Sequence, residues 1–211
     1  MPYSTFKTLD ALREQFGVTI TSKDALFADV PGISPGTHLA ETLAENISLA
    51  LNVNTEKARS EFIIAPVLLE ARRLLHREIS LFSGVDFTVD DSQNLSGFCD
   101  FIVSASSDQI LVEVPVVCVV EAKNENIKSG YPQCIAEMIA AQRLNDQQAH
   151  PIARILGVVT TGSNWKFLTL AGTTVLIDYD EYLISHIDRI LGIFIAVLRQ
   201  CLPEKTASSR L

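Results

Sequence analysis

The segment VPVVCVVEAKNEN, residues 114–126, runs from an unbroken apolar stretch directly into charged and amide side chains. An apolar stretch of this length is typical of a strand buried inside a sheet. A strand places alternate side chains on opposite faces, so Glu121 and Lys123 should point to one face, roughly 7 Å apart, and Ala122 to the other. Any fold for this chain must therefore hold a buried strand whose end carries charge of both signs.

The patterns on either side predict helices that flank one mixed sheet. Apolar residues recur at helical spacing from about Thr55 to Arg77. Asn54 or Thr55 can cap this helix, and Pro66 interrupts it. A three-stranded antiparallel meander, a second helix, a hairpin that turns at TGSN and a closing apolar helix follow. This order predicts an α/β or α+β fold with a central mixed β-sheet flanked by helices.

The length of 211 residues suits a single domain with a full core. Within it we expect a helical N-terminal extension over residues 1–53, a core over 54–180 and a C-terminal helix over 181–203. The first residues show no basic stretch followed by an apolar one, and the longest apolar runs reach about half of the ~20 residues that span a bilayer. We therefore expect a cytoplasmic protein with no membrane partner.

The formal net charge of −8 bears on the partners of the protein. It weighs against avid, non-specific binding to nucleic acid, since such binding depends mainly on neutralising phosphates with basic residues. It leaves open an acidic site that binds its ligand through a metal ion. The four cysteines and four histidines are scattered, without the close pairs that zinc sites need, and we expect them to be structural.

A second acid precedes the buried strand in the chain. Asp100 lies in the middle of the preceding strand, in the sequence GFCDF, and pairing of the two strands would bring it to Glu121. Two carboxylates held together need positive charge between them, and oxygen ligands of this kind suit Mg²⁺ or Mn²⁺. Lys123 could then orient or deprotonate a bound water. The alternatives are a buried salt bridge and a solvated strand end.

In their order along the chain, these residues resemble the PD-(D/E)XK nuclease superfamily, which has a restriction-endonuclease-like fold. GFCDF supplies the motif aspartate, Asp100, and VVEAK supplies Glu121-x-Lys123. RSEFIIAPVLLEAR is similar to the first core helix of the family, with Glu61 at the position of its acid. SGYPQCIAEM is similar to the helix that follows the motif, with Gln133 at a position where glutamine is frequent.

The hairpin GVVTTGSNWKFLTL extends the resemblance, since it is similar to a T-G-x-x-W-x-F hairpin in the amino-terminal nuclease domains of type I restriction subunits. The resemblance covers about residues 55–180 and departs from the family pattern in having Cys99, not proline, before Asp100. It implies a Mg²⁺-dependent nuclease that hydrolyses DNA. The catalytic residues it implies are Asp100, Glu121, Lys123, Glu61 and Gln133, and the metal ligands are Asp100, Glu121 and Glu61.

Some residues keep a second interpretation. Glu61 could be a surface glutamate, and Gln133 could be a solvent-exposed residue of the first helical turn. Glu137 is expected to be a polar flank, with hydrogen bonding to Lys123 as the alternative. We expect Lys166 to be a solvent-facing lysine of a strand, with a phosphate contact as the alternative. We expect Trp165 to be a core residue, with stacking on a base as the alternative.

Two functions of different classes follow. The first is the metal-dependent nuclease, with DNA as a partner that is bound weakly and through the metal. The second is a non-catalytic or partner-dependent protein that keeps the nuclease fold and serves nucleic-acid binding or assembly. The acidic balance favours the second function, and so does the apolar closing helix, ILGIFIAVLRQCL, through which a homodimer could form. The same apolar helix could instead bind a different protein.

Overall fold

The computed structural model describes residues 3–202, which form an eight-stranded mixed sheet with helices on both faces. The helices are α1 (Leu9–Phe16), α2 (Thr37–Val53), α3 (Glu56–Arg59), α4 (Ala65–Leu74), α5 (Tyr131–Gln147) and α6 (Ile187–Arg199). The strands are β1 (Thr19–Lys23), β2 (Ser80–Asp86), β3 (Phe98–Ser104), β4 (Val116–Ala122), β5 (Ile155–Thr160), β6 (Asn164–Ala171), β7 (Thr174–Asp178) and β8 (Tyr182–Leu183). The predicted architecture, a central mixed sheet between helices, is confirmed at this level.

The strand order is β1-β7-β6-β5-β4-β3-β2, and β8 pairs with β6 outside this path. The pairs β2–β3 and β3–β4 are antiparallel, which confirms the predicted meander. The strand β5 then lies parallel to β4 and starts an antiparallel hairpin with β6 that turns at residues 161–163. Every residue of β4 is buried, as the apolar sequence predicts, and the strand has β3 and β5 as its neighbours.

The expectation that residues 1–53 form a helical extension is wrong in one respect. Thr19–Lys23 form β1, which pairs in parallel with β7 and makes one edge of the sheet. Only Ile20 of this strand is buried. The N-terminal segment therefore contributes a strand to the main sheet in addition to the helices α1 and α2.

The sheet separates two apolar layers. One layer packs α2, α4 and α6 against one face, and the other packs α1 and α5 against the opposite face. Neighbouring residues of β4 show the alternation, because Val120 belongs to the first layer and Val119 to the second. The charged end of β4 therefore emerges between two packed layers.

The closing helix is shorter than predicted and begins after β8. Its apolar side chains are covered within the chain, since they pack into the first layer; the buried ones include Ile190, Ile193, Phe194 and Val197. Burial in one chain thus accounts for the apolar sequence that suggested a dimer. Among the described residues, no helix is long and apolar enough to span a membrane.

The helix predicted from Thr55 is continuous from Glu56 to Leu74 but changes type on the way. The side chain of Thr55 caps it by accepting a hydrogen bond from the Ala58 N–H at 3.1 Å. Residues Ser60–Ile64 form a π-helical turn between α3 and α4. Pro66 lies in the first turn of α4, directly after this π turn. A π turn adds a residue to the helix and changes the direction in which the preceding side chains point.

Gly157 on β5 allows α5 to pack closely on the sheet. A Cβ at this position would overlap the Met138 sulfur and lie 3.1 Å from Cys134 Sγ. We expect Gly157→Ala to lower the free energy of unfolding by about 1–3 kcal/mol, measured by urea denaturation, because overpacking forces neighbouring side chains to move. In a Met138→Ala background the same change should cost less. An equal cost in both backgrounds would show that the close approach is not the reason.

Candidate active site

The site is built on the end of β4, where the apolar strand meets its charged residues. Glu121 is the next-to-last residue of the strand, and its side chain is only 1% exposed. The ammonium group of Lys123 donates a hydrogen bond to Glu121 Oε1 and forms an ion pair with it. The Lys123 N–H donates to the Thr160 carbonyl at 2.8 Å, which holds the residue against the end of β5. The two side chains therefore meet, as the spacing predicts.

Asp100 on β3 joins this pair across the sheet. The antiparallel register places Phe101 opposite Val120, so Asp100 and Glu121 occupy neighbouring positions on adjacent strands. Asp100 Oδ2 accepts a hydrogen bond from the Ala122 N–H at 2.8 Å. This bond fixes one carboxylate oxygen of Asp100 at the strand end.

Gln133 on α5 contacts the second oxygen of the buried glutamate. Its Nε2 donates to Glu121 Oε2 at 2.9 Å and to Glu137 Oε1 at 3.1 Å. Gln133 therefore lies beside Glu121 and Glu137, and it is not the solvent residue of the first helical turn that was the alternative. Both oxygens of Glu121 are hydrogen-bonded, one to an ammonium group and one to an amide.

Glu137 is a site residue that the sequence analysis assigned wrongly. It is fully buried and is not the expected polar flank, and its partner is Gln133 and not Lys123. Its Oε2 has no hydrogen-bond partner within the described part of the chain. The only signal for this role in the sequence is the spacing of four residues from Gln133, which places both side chains on one face of α5.

Burial and crowding raise the pKa values of these acids. Burial, followed by the charge of Asp100, raises the pKa of Glu121 to about 8 in spite of Lys123. Burial also raises the pKa of Asp100, and burial together with the Glu121 charge raises that of Glu137. Burial disfavours the Lys123 ammonium, but the surrounding carboxylates outweigh it and raise its pKa. Without a bound cation, burial therefore favours the neutral form of the carboxyl groups in this cluster.

A cavity of about 260 Å³ opens beside Asp100 and contains two glutamates of the first core helix, Glu56 and Glu61. Glu61, the predicted acid, is half-exposed and forms an ion pair with Lys57 at 2.7 Å. Glu56 was not predicted as a site residue. The pKa of Glu56 is raised, mainly by burial. The charge of Lys123 lowers this pKa and the charge of Asp100 raises it, so Glu56 interacts electrostatically with both groups.

Glu56 was missed because the sequence gives it an ordinary explanation as a favourable charge in the first turn of a helix. Its place in the site depends on the π turn that follows it, and helical periodicity does not foresee such a turn. The structure thus offers two glutamates as the third acid, and Glu56 is the one under the electrostatic influence of Asp100 and Lys123.

The donor set fits a divalent metal ion in its chemistry. The side chains are carboxylates, the ligands that Mg²⁺ and Mn²⁺ prefer, and burial, which raises their pKa values, disfavours their charged form unless a cation binds them. Asp100 and Glu121 would hold the ion, with Glu56 or Glu61 as a further ligand. As the side chains stand, with Lys123 bound to Glu121, no group of three or more His, Cys, Asp and Glu residues within residues 3–202 is arranged around a common metal position.

Two residues of the predicted Trp hairpin have structural positions. Trp165 is fully buried, and its Nε1 donates to the Gly162 carbonyl at 2.9 Å, which confirms the core assignment. Lys166 is 6% exposed and donates to the Tyr179 carbonyl at 2.6 Å, so the expectation of a solvent-facing lysine is wrong. Neither side chain belongs to the acidic cluster.

A larger cavity of about 740 Å³ lies at the opposite end of β4, next to Pro115, and contains none of the predicted site residues. Its titratable side chains are Glu78, Glu113, His150 and Cys201. The acidic cluster at the charged end of β4 is therefore the better candidate for an active site. The chain matches no protein-family model, no curated protein and no solved structure. The function of the acidic cluster is therefore inferred from its own residues.

Proposed function

We propose that this protein is a metal-dependent nuclease that hydrolyses phosphodiester bonds of DNA, with a restriction-endonuclease-like core over residues 54–180. The observation that carries the proposal is the buried Glu121, held between Lys123 and Gln133 and next to Asp100, at the end of the central strand. Burying two acids in contact with each other costs free energy, so such an arrangement favours a role in binding a cation.

Each residue has a distinct part in the proposed reaction. Asp100 and Glu121, with Glu56 or Glu61, would hold Mg²⁺, which would lower the pKa of a water molecule and stabilise negative charge on the phosphate. Lys123 leaves its ion pair with Glu121 and directs the attacking water through its ammonium protons. Gln133 keeps the Glu121 carboxylate in place, and Glu137 orients the amide of Gln133.

A second candidate, a non-catalytic binding or assembly protein, is favoured by one specific observation. Lys123 and Gln133 occupy both oxygens of Glu121, so the buried charge already has the partners that a structural salt bridge needs. The net charge of −8 also suits a protein whose main partner is not nucleic acid. The homodimer and the cytoplasmic location remain predictions.

The test is cleavage of single-stranded, duplex and branched DNA by the purified full chain. Cleavage in Mg²⁺ or Mn²⁺ that stops when a chelator removes the metal is the expected result, because the carboxylate cluster needs a cation to activate water. No cleavage of any of these substrates would support the second candidate over the first. Cleavage that continues in the chelator would show that the reaction does not depend on a metal ion.

The third acid can be assigned by comparing two single substitutions. We expect Glu56→Gln to raise the Mg²⁺ concentration for half-maximal cleavage by about tenfold, since Glu56 interacts electrostatically with Asp100 and Lys123. Glu61→Gln should change it by less than about threefold, because Glu61 is half-exposed and already paired with Lys57. The reverse order would restore Glu61 as the ligand that the resemblance implies.

A further inference from the structure

We propose that Arg59, at the end of α3, binds a backbone phosphate of the nucleic acid next to the one that is cleaved. This inference rests on the proposed function, because it assigns a substrate contact beside the same site. Its ligand class is a phosphodiester group, recognised by a guanidinium and by the polar side chains of Asn124 and Ser163. The acidic cluster alone offers no such contact.

Arg59 is a buried cation. It is 8% exposed, and three of its N–H groups donate to neutral oxygens of the protein. Nε donates to Asn124 Oδ1 at 3.1 Å, Nη1 to the Thr161 carbonyl at 2.8 Å and Nη2 to Asn54 Oδ1 at 3.0 Å. These bonds fix the plane of the guanidinium group.

Within the described residues, the guanidinium group has no carboxylate partner and has N–H groups that are not hydrogen-bonded. It has five N–H groups, so three hydrogen bonds leave one N–H on each terminal nitrogen. Across residues 3–202, Arg59 takes part in no ion pair. A buried charge without a counter-charge is costly, and the remaining guanidinium N–H groups can donate to phosphate oxygens.

An open polar cavity gives a ligand access to this group. The cavity measures about 380 Å³, and besides Arg59 it is lined by polar side chains that include Asn124, Ser163 and Asn164. Glu125 also lines it and accepts a hydrogen bond from Asn54 at 3.4 Å. The Glu125 side chain is exposed, so water and salt screen its charge better than the buried charge of Arg59.

The cavity adjoins the acidic cluster. Asn124 directly follows Lys123, and Thr161 directly follows Thr160, whose carbonyl binds the Lys123 N–H. On the helix, Arg59 faces this cavity and the next residue, Ser60, lines the cavity that contains Asp100. A DNA strand whose scissile phosphate lies at Lys123 therefore passes close to Arg59.

The rival explanation is purely structural, in which Arg59 only ties three loops together. Substituting Arg59 itself would not separate the two explanations, since its hydrogen bonds would be lost in either case. Ser163→Asp removes none of the three acceptors of Arg59 and adds a carboxylate to the cavity. Thr173→Asp adds the same charge at an exposed turn beyond the other end of β6, and it serves as the matched control.

The experiment measures binding of the full-length variants to a fluorescein-labelled 20-base-pair DNA duplex by anisotropy, with Ca²⁺ in place of Mg²⁺. We expect Ser163→Asp to weaken binding about tenfold and to lower the slope of log affinity against log salt by about one, as for the loss of one phosphate contact. Thr173→Asp should change the affinity less than about twofold. Glu125→Gln should tighten binding severalfold, because it removes the acid that competes with the phosphate.

The outcomes separate this inference from the proposed function. Weaker binding by Ser163→Asp, with no DNA cleavage by the wild-type protein in Mg²⁺, would support the phosphate contact and overturn the nuclease. Cleavage by the wild-type protein with equal binding by the Ser163→Asp and Thr173→Asp variants would overturn the phosphate contact and leave the nuclease. Absence of DNA binding by the wild-type protein would overturn the contact as well.

Discussion

Replacing Lys123 by methionine is expected to reduce Mg²⁺-dependent DNA cleavage by about 10²–10⁴-fold while the protein stays folded. Methionine keeps most of the length of the side chain and loses the ammonium group, which in the proposed reaction orients the attacking water. Removal of a group that positions or transfers a proton in the transition state has an effect of about this size. The measurement is the initial rate of cleavage at saturating Mg²⁺, together with circular dichroism of both proteins.

The fold should survive this substitution because Glu121 can become neutral. Its pKa is already raised to about 8, and it rises further when the neighbouring ammonium group is absent. Lys128→Met is the matched control, since Lys128 is exposed five residues further along the chain and takes part in none of the ion pairs within residues 3–202. If the Lys123 and Lys128 variants cleave equally well, Lys123 has no role in the reaction.

The second large effect concerns stability in the absence of metal, which should fall as the pH rises from about 5 to above 8. The pKa of Glu121 moves from its ordinary value of 4.5 to about 8 on folding, mainly because the side chain is buried. Its ionisation therefore opposes folding. The opposition is absent below pH 4.5, grows between the two values and is complete above about pH 8.

The size of this effect is set by the displacement of the pKa. At about 1.4 kcal/mol per pKa unit, ionisation of Glu121 lowers the free energy of unfolding by roughly 4–5 kcal/mol. Asp100 and Glu137, whose pKa values are also raised by burial, act in the same direction. The Glu70 carboxyl, whose pKa is lowered by Arg73, acts only at more acidic pH, near its ordinary value of 4.5.

The measurement is urea denaturation of the wild-type protein and of Glu121→Gln between pH 5 and 9, in a chelator. The glutamine variant should lose most of the slope, because its side chain cannot ionise, and it should be the more stable protein at pH 9. Addition of Mg²⁺ at pH 9 should stabilise the wild-type protein in particular. Parallel pH profiles for the two proteins would show that Glu121 is not the group responsible.

The sequence predicted the centre of this site because its signals are local. Alternation by two along a strand suffices to place Glu121 and Lys123 together, and an antiparallel meander suffices to bring Asp100 beside them. The helix cap at Thr55 is an equally local signal. The core position of Trp165 follows from the strong tendency of a large apolar side chain to be buried. These features need no knowledge of distant contacts.

The features that were missed depend on distant parts of the chain. The strand β1 has one buried residue and pairs with β7, about 150 residues away, so its own pattern carries almost no signal. Glu137 and Lys166 are buried charged residues, which are rare, and only the packing of α5 and of the β6 hairpin explains them. The assignment of Glu56 depends on a local irregularity of its helix.

The π turn at Ser60–Ile64 has a consequence for how this helix can change. The residues after the turn, such as Val67 and Leu68, are fixed by the core, whereas the residues before it, Glu56 and Arg59, face polar cavities. Because of the additional residue, the direction in which side chains point around the helix axis differs between the two halves of the helix. A chain with one residue fewer here would keep the core half in place and turn the other half by about 100° around the helix axis. Insertions and deletions in this turn therefore offer a way to vary ligand contacts without disturbing the packed interior.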